Sequence, residues 1–98
     1  MNRVVNLLKE AKALIDSPDK WCKGSLMAGG KICAVGAVYA AASCAKRMRE
    51  RQMLDCLQVG HKEGGLSVYN DHEDTTHADM MALFDKAIAF AERRYRAT

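Results

Sequence analysis

Val4, Leu7, Leu8, Ala11, Leu14 and Ile15 recur three and four residues apart, with Lys9, Glu10 and Lys12 between them. That period predicts a first helix of about three to four turns with one apolar face. Asp16-Ser17-Pro18-Asp19 ends it, because proline restricts the residue before it and cannot extend the ladder. Two short apolar runs around Gly29-Gly30, from Ser25 to Cys33, read as a small hairpin or tight loop. A lone two-stranded hairpin is marginal in water, so it is expected to lean on the helices. Residues 33–46 are rich in small side chains and predict a second helix despite Gly36, since alanine is the best helix former. Cys33, Ala37, Ala40 and Cys44 fall on one of its faces, and Val35, Val38 and Ala42 on another. Such smooth faces let neighbours come close, which suits a central helix.

Met48, Met53, Leu54 and Leu57 suggest a third helix with Gly60 as its stop, its two methionines serving either as core or as an exposed contact that adapts to a partner surface. Gly64-Gly65 then give a turn before Leu66-Ser67-Val68-Tyr69, an extended stretch that delivers Asn70-Asp71. Thr76 followed by Asp79 has the form of a capping box, with Asp in the place Glu or Gln usually takes. Behind it Met80, Leu83, Phe84, Ala87, Ile88, Ala91 and Tyr95 keep helical spacing for about five turns. No repeat, linker or low-complexity segment interrupts the pattern. The expected fold is all-α: one compact four-helix domain over residues 1–98, with a short loop or β-hairpin insert between the first two helices.

Composition narrows the function classes. Ninety-eight residues cannot hold a nucleotide-binding α/β domain with a substrate domain beside it. Apolar residues at 49% and charged residues at 28% exclude a disordered chain. No apolar run approaches the roughly 20 residues of a spanning helix, so no membrane partner is expected. Met1-Asn2-Arg3-Val4 opens an amphipathic segment at once, without a signal-peptide core. The expectation is a cytoplasmic chain whose Cys22, Cys33, Cys44 and Cys56 are reduced thiols.

The net charge of +3 is spread unevenly. Residues 20–51 carry seven basic side chains against Glu50, and residues 52–92 carry eight acids against two lysines. A field split this way steers a charged partner, or joins two solvated faces to each other. Lys46, Arg47, Arg49 and Arg51 make the densest basic stretch, a candidate contact for a protein partner or for phosphates. Interleaved aromatics for base stacking are absent there.

Four cysteines with His61, His72 and His77 raise the question of zinc. The cysteines stand 11, 11 and 12 apart, which supplies no chelating knuckle. His72 and His77, with Asp71 and Asp74, offer a mixed His/carboxylate set, or simply acids that favour the positive end of the last helix. No metal or cofactor is expected. Cys33 at the start of the small-residue helix could have a lowered pKa, with a histidine and Asn70 or Asp71 completing a catalytic set. Buried cysteine also serves as a small hydrophobe, and Cys33 fits that role. Asn70-Asp71 is the most pointed polar pair. It either meets a ligand beside Trp21 or satisfies backbone groups in the turn before the last helix, with Asp71 as a natural acceptor for the Trp21 indole.

Trp21-Cys22-x-Gly24, Gly30-x-x-Cys33-Ala34-x-Gly36-Ala37, Asn70-Asp71 and Thr76 occur in that order. The combination resembles a small uncharacterised domain family of bacteria and phages, whose pattern runs WCxG, CAxGAL, WND and T before an apolar helix. The likeness spans nearly the whole chain. Tyr69 stands where the family more often has Trp, and no Pro-Gly turn separates Asn70-Asp71 from Thr76. The family carries no established activity, so the resemblance implies a fold and leaves mechanism open. It also implies an origin in which a phage or mobile-element protein engages a host factor.

Two functional expectations follow. The first is a small non-catalytic protein that binds another macromolecule through Lys46, Arg47, Arg49 and Arg51, with a protein partner ahead of nucleic acid. The second is a thiol- or metal-dependent site built from Trp21, Cys22, Cys33, Asn70 and Asp71.

Overall fold

The side chain of Asn2, the first described residue, does two things. Its Oδ1 accepts the Val5 N–H at 3.1 Å and so caps α1 (Arg3–Leu14). Its Nδ2 donates to the Ala91 carbonyl at 2.9 Å, near the far end of the chain. The computed structural model describes residues 2–43, 47–58 and 65–95, with the Arg47 side chain left aside. Val4, Val5, Leu7, Leu8 and Ala11 form the buried stripe of α1. Ile15 is fully buried whereas Leu14, predicted on the same face, is 41% exposed. A single turn of 3-10 helix at Pro18–Lys20 then redirects the chain, with proline at a position that needs no N–H.

The hairpin is present: β1 (Met27–Ala28) pairs antiparallel with β2 (Lys31–Ile32). Gly29 and Gly30 both have positive φ, 57° and 82°, as a two-residue type I′ turn requires. As expected for so short a ribbon, it leans on a helix. A Cβ at Gly36 of α2 (Ala34–Ala41) would lie 2.7 Å from Ile32 Cγ1 and 2.8 Å from the Leu26 carbonyl. Glycine is there to let the hairpin lie on α2. The helix is shorter than predicted, ending with Ala42 as its C-cap, and it buries Ala34, Ala37 and Val38. Ala40 is exposed, because it faces the shallow depression that it forms with Ala13 and Leu14. Cys44 lies outside the described residues.

The chain goes on to α3 (Arg47–Gln58), α4 (Leu66–Asp71) and α5 (His77–Arg94). The described residues thus hold five helices, one more than predicted. The addition is α4, where an extended stretch was expected. Leu66-Ser67-Val68-Tyr69 alternates like a strand, but Leu66 and Asn70, four apart, are the two residues it buries. A helix buries that pair on one face and turns Val68 outward; a strand would put Val68 on the same face, yet Val68 is 57% exposed. Met53 enters the core, while Met48 is 64% exposed. The proposed stop at Gly60 and the start of the following turn lie outside the described residues. Helix α5 begins with the predicted box: Thr76 Oγ1 accepts the Asp79 N–H, and Asp79 Oδ2 accepts the Thr76 N–H. Helix α1 packs between α2 and α5, α3 lies mainly on α5, and α4 closes against α2 and α3. Leu8, Ile15, Met53, Leu57, Met80 and Phe84 fill the common core. No helix among the described residues is long and apolar enough to cross a membrane.

Candidate functional site

The segment between α1 and the hairpin, the start of α2 and the end of α4 meet around Asn70. This side chain is fully buried. Its Oδ1 accepts the Trp21 indole N–H at 2.6 Å and the Ala34 backbone N–H at 3.0 Å. Its Nδ2 donates to the Cys22 carbonyl at 3.0 Å and to Asp71 Oδ1 at 2.9 Å. Both lone pairs and both protons of the amide are therefore used. Asn70, not Asp71, is the acceptor for Trp21, which corrects the expected pairing. The reason is position: Asn70 points inward from α4 while Asp71, the next residue, faces the rim. Nor do these side chains serve their own turn; they join segments 36 to 49 residues apart.

Asp71 Oδ1 also accepts the Gly24 N–H at 2.9 Å. That bond and the Asn70 amide hold the Asp71 carboxyl below the usual carboxylate range. Gly24 has φ of 81°, so the turn that presents its N–H needs a residue without Cβ. Lys23 completes the rim. Its ammonium lies 5.5 Å from the Trp21 ring centroid and donates to the His72 carbonyl at 2.6 Å. Neither Lys23 nor His77, whose ring stands 5.9 Å from that of Trp21, was legible as a neighbour of the tryptophan. The only signal was their closeness in sequence to Trp21-Cys22 and to Thr76.

The two cysteines of the predicted set adjoin this clasp. Cys33 is buried and caps α2, its Sγ accepting the Gly36 N–H at 3.4 Å. Cys22 is half-buried and its thiol donates to the Ser25 carbonyl at 3.5 Å. Burial, and then the neighbouring Cys33, push the Cys22 thiol up. All five residues of the set, Trp21, Cys22, Cys33, Asn70 and Asp71, thus come together. His72 and His77 do not converge. His72 Nδ1 accepts the Asp74 N–H at 3.1 Å, while His77 Nε2 meets the Ile15 carbonyl at 2.7 Å and must carry its proton there. No group of three or more potential metal ligands occurs among the described residues.

The basic set sits apart, on α3. Arg51 is exposed and Arg49 donates to Gln52 Oε1 at 3.0 Å. Lys46 and the Arg47 side chain lie outside the described residues. Arg51, Glu50, Leu54 and Asp55 line a shallow depression of about 440 Å³.

Together these features define a small, mostly helical domain tied by a buried amide clasp. The chain belongs to the family of unknown function DUF6197, whose model matches residues 1–90. No curated protein and no solved structure matches it significantly.

Proposed function

We propose that the protein is a non-catalytic binding module that docks an acidic protein surface onto α3. The observation that carries this reading is Met48, 64% exposed and one helical turn before the exposed Arg51. Methionine and arginine are both enriched in protein interfaces, the first as an adaptable apolar contact and the second as a planar donor. The charge of the stretch selects the partner: Lys46, Arg47, Arg49 and Arg51 stand against Glu50 alone. An acidic surface with an apolar centre complements it. A host factor engaged by a mobile-element protein is one partner of this kind.

The test places a photo-crosslinking residue at position 48, or at the exposed Lys86 of α5 as a control, and uses lysate of the source organism with and without nuclease treatment. The product at position 48 is identified, purified and titrated against the chain. The expected result is an acidic protein whose affinity falls roughly tenfold or more in R49E/R51E, a variant whose unfolding free energy stays within about 0.5 kcal/mol of the parent. Identical products from positions 48 and 86, or undiminished affinity in the variant, would overturn the reading. Capture abolished by nuclease would assign the stretch to nucleic acid instead.

A further inference from the structure

We infer that Cys22 and Cys33 form a reversible dithiol–disulfide pair, oxidised by small disulfides of the glutathione type. The argument starts from backbone register. Trp21 and Ile32 pair in a parallel bridge, and the Cys22 N–H donates to the Ile32 carbonyl at 3.1 Å. In a parallel pair the next residues face each other, so Cys22 stands opposite Cys33. Paired strands run about 4.7–4.9 Å apart, inside the roughly 4.4–6.8 Å Cα separation that a disulfide spans. Successive residues point to opposite faces, so side chains in register share a face. The Cys22 thiol is raised partly by Cys33, which agrees with that closeness.

Accessibility orders the steps. Cys22 is half-buried and Cys33 is 4% exposed, so Cys22 meets the oxidant first. Its thiolate attacks one sulfur of the small disulfide, giving a mixed disulfide and releasing one thiol. Cys33, after losing its proton, attacks Cys22 Sγ and expels the second thiol. The protein loses two protons and two electrons, and the small disulfide is reduced to two thiols. Cys33 Sγ then turns from the Gly36 N–H toward Cys22, so oxidation fastens the hairpin to the clasp while loosening the cap of α2. Cys56, fully buried and pushed up to about 11, has little thiolate to compete.

The spacing of the cysteines supplies an internal control. At 11, 11 and 12 residues apart, neighbouring cysteines close loops of nearly equal length in the unfolded chain. Reduced full-length protein is incubated with oxidised glutathione, in buffer and in urea, then acid-quenched, alkylated and mapped by peptide fragmentation. In urea the three neighbouring pairs are expected in comparable amounts; in buffer Cys22–Cys33 should exceed the other two together by roughly tenfold or more. The rate in buffer should rise with pH, because Cys22 is held as thiol near neutrality. The C33S variant, with its fold checked by circular dichroism, should stop at a glutathione adduct on Cys22. Native oxidation with the same pair distribution as in urea would overturn the inference. So would wild-type protein that accumulates only the adduct, or that fails to react at pH 9.

Discussion

Asn70 is the residue on which three segments depend, and its removal has an unusual energetic profile. Asn70→Ala leaves the Trp21 indole N–H, the Ala34 N–H and the Cys22 carbonyl without their shared partner. Because an unpaired buried polar group costs about 1–3 kcal/mol, the variant should lose about 2–4 kcal/mol in urea denaturation. Trp21→Phe removes one donor and leaves Asn70 Oδ1 bonded to Ala34, so a loss near 1 kcal/mol, apart from packing, is expected. The sequence singled out Asn70-Asp71 as a pair, and the pair does carry the clasp. It held no sign of which member faced Trp21, because that depends on the phase of a helix read as extended. Asp71 contributes on the acid side. Its folded pKa is depressed, so its stabilisation is present above the unfolded carboxyl value and is lost as pH falls through the folded one. Asp71→Asn should therefore flatten the acid limb of the stability–pH curve below about pH 4, leaving the alkaline limb unchanged. The carboxylate is largely exposed, so the change is small and screened by salt.

Among the elements, α5 was read nearly whole because its information is local: a capping box and an apolar period. Thr76→Ala should accordingly cost about 1 kcal/mol by thermal or urea unfolding. Helix α4 was misread because its information is not local. Its six residues are helical through burial of Leu66 and Asn70 against α2 and α3, and no window of the sequence contains those partners. Gly36 shows the same divide. Propensity alone makes Gly36→Ala a gain of about 1 kcal/mol in a helix interior. The added Cβ would instead meet the Leu26 carbonyl at 2.8 Å, and a backbone atom yields less easily than a side-chain end. We expect a net destabilisation of about 1–3 kcal/mol, measured by urea midpoint. Its excess over a surface Gly→Ala control would report the hairpin's contact with α2.

At the scale of the molecule, the charge split visible in the sequence does not become two clean hemispheres. Lys12 of α1 meets Asp85 of α5 at 2.7 Å, Lys20 meets Asp16 at 2.9 Å, and Lys23 rests over Trp21. Lys20 and Lys23 of the basic half are thus locally engaged, whereas Lys31 on the hairpin and Arg51 on α3 are exposed, Arg51 with the exposed Met48 one turn before it. Whole-chain arithmetic could not have made that distinction, since it depends on which faces the helices turn outward.

Asn2 has a consequence at this same scale. By capping α1 while holding the Ala91 carbonyl, it brings the start of α1 and the end of α5 to one corner, so the described part of the chain nearly closes on itself. A few glycine and serine residues should suffice to join residues 2 and 95, and the ring can be reopened at the exposed Gly29-Gly30 turn. Such a permutant should keep the parent's helical circular dichroism and lose stability only as far as the hairpin does. It also follows that a carrier joined directly at residue 2 or residue 95 would leave the fold at the same corner, so residues 2–95 could be grafted into a loop of another protein without stretching that loop.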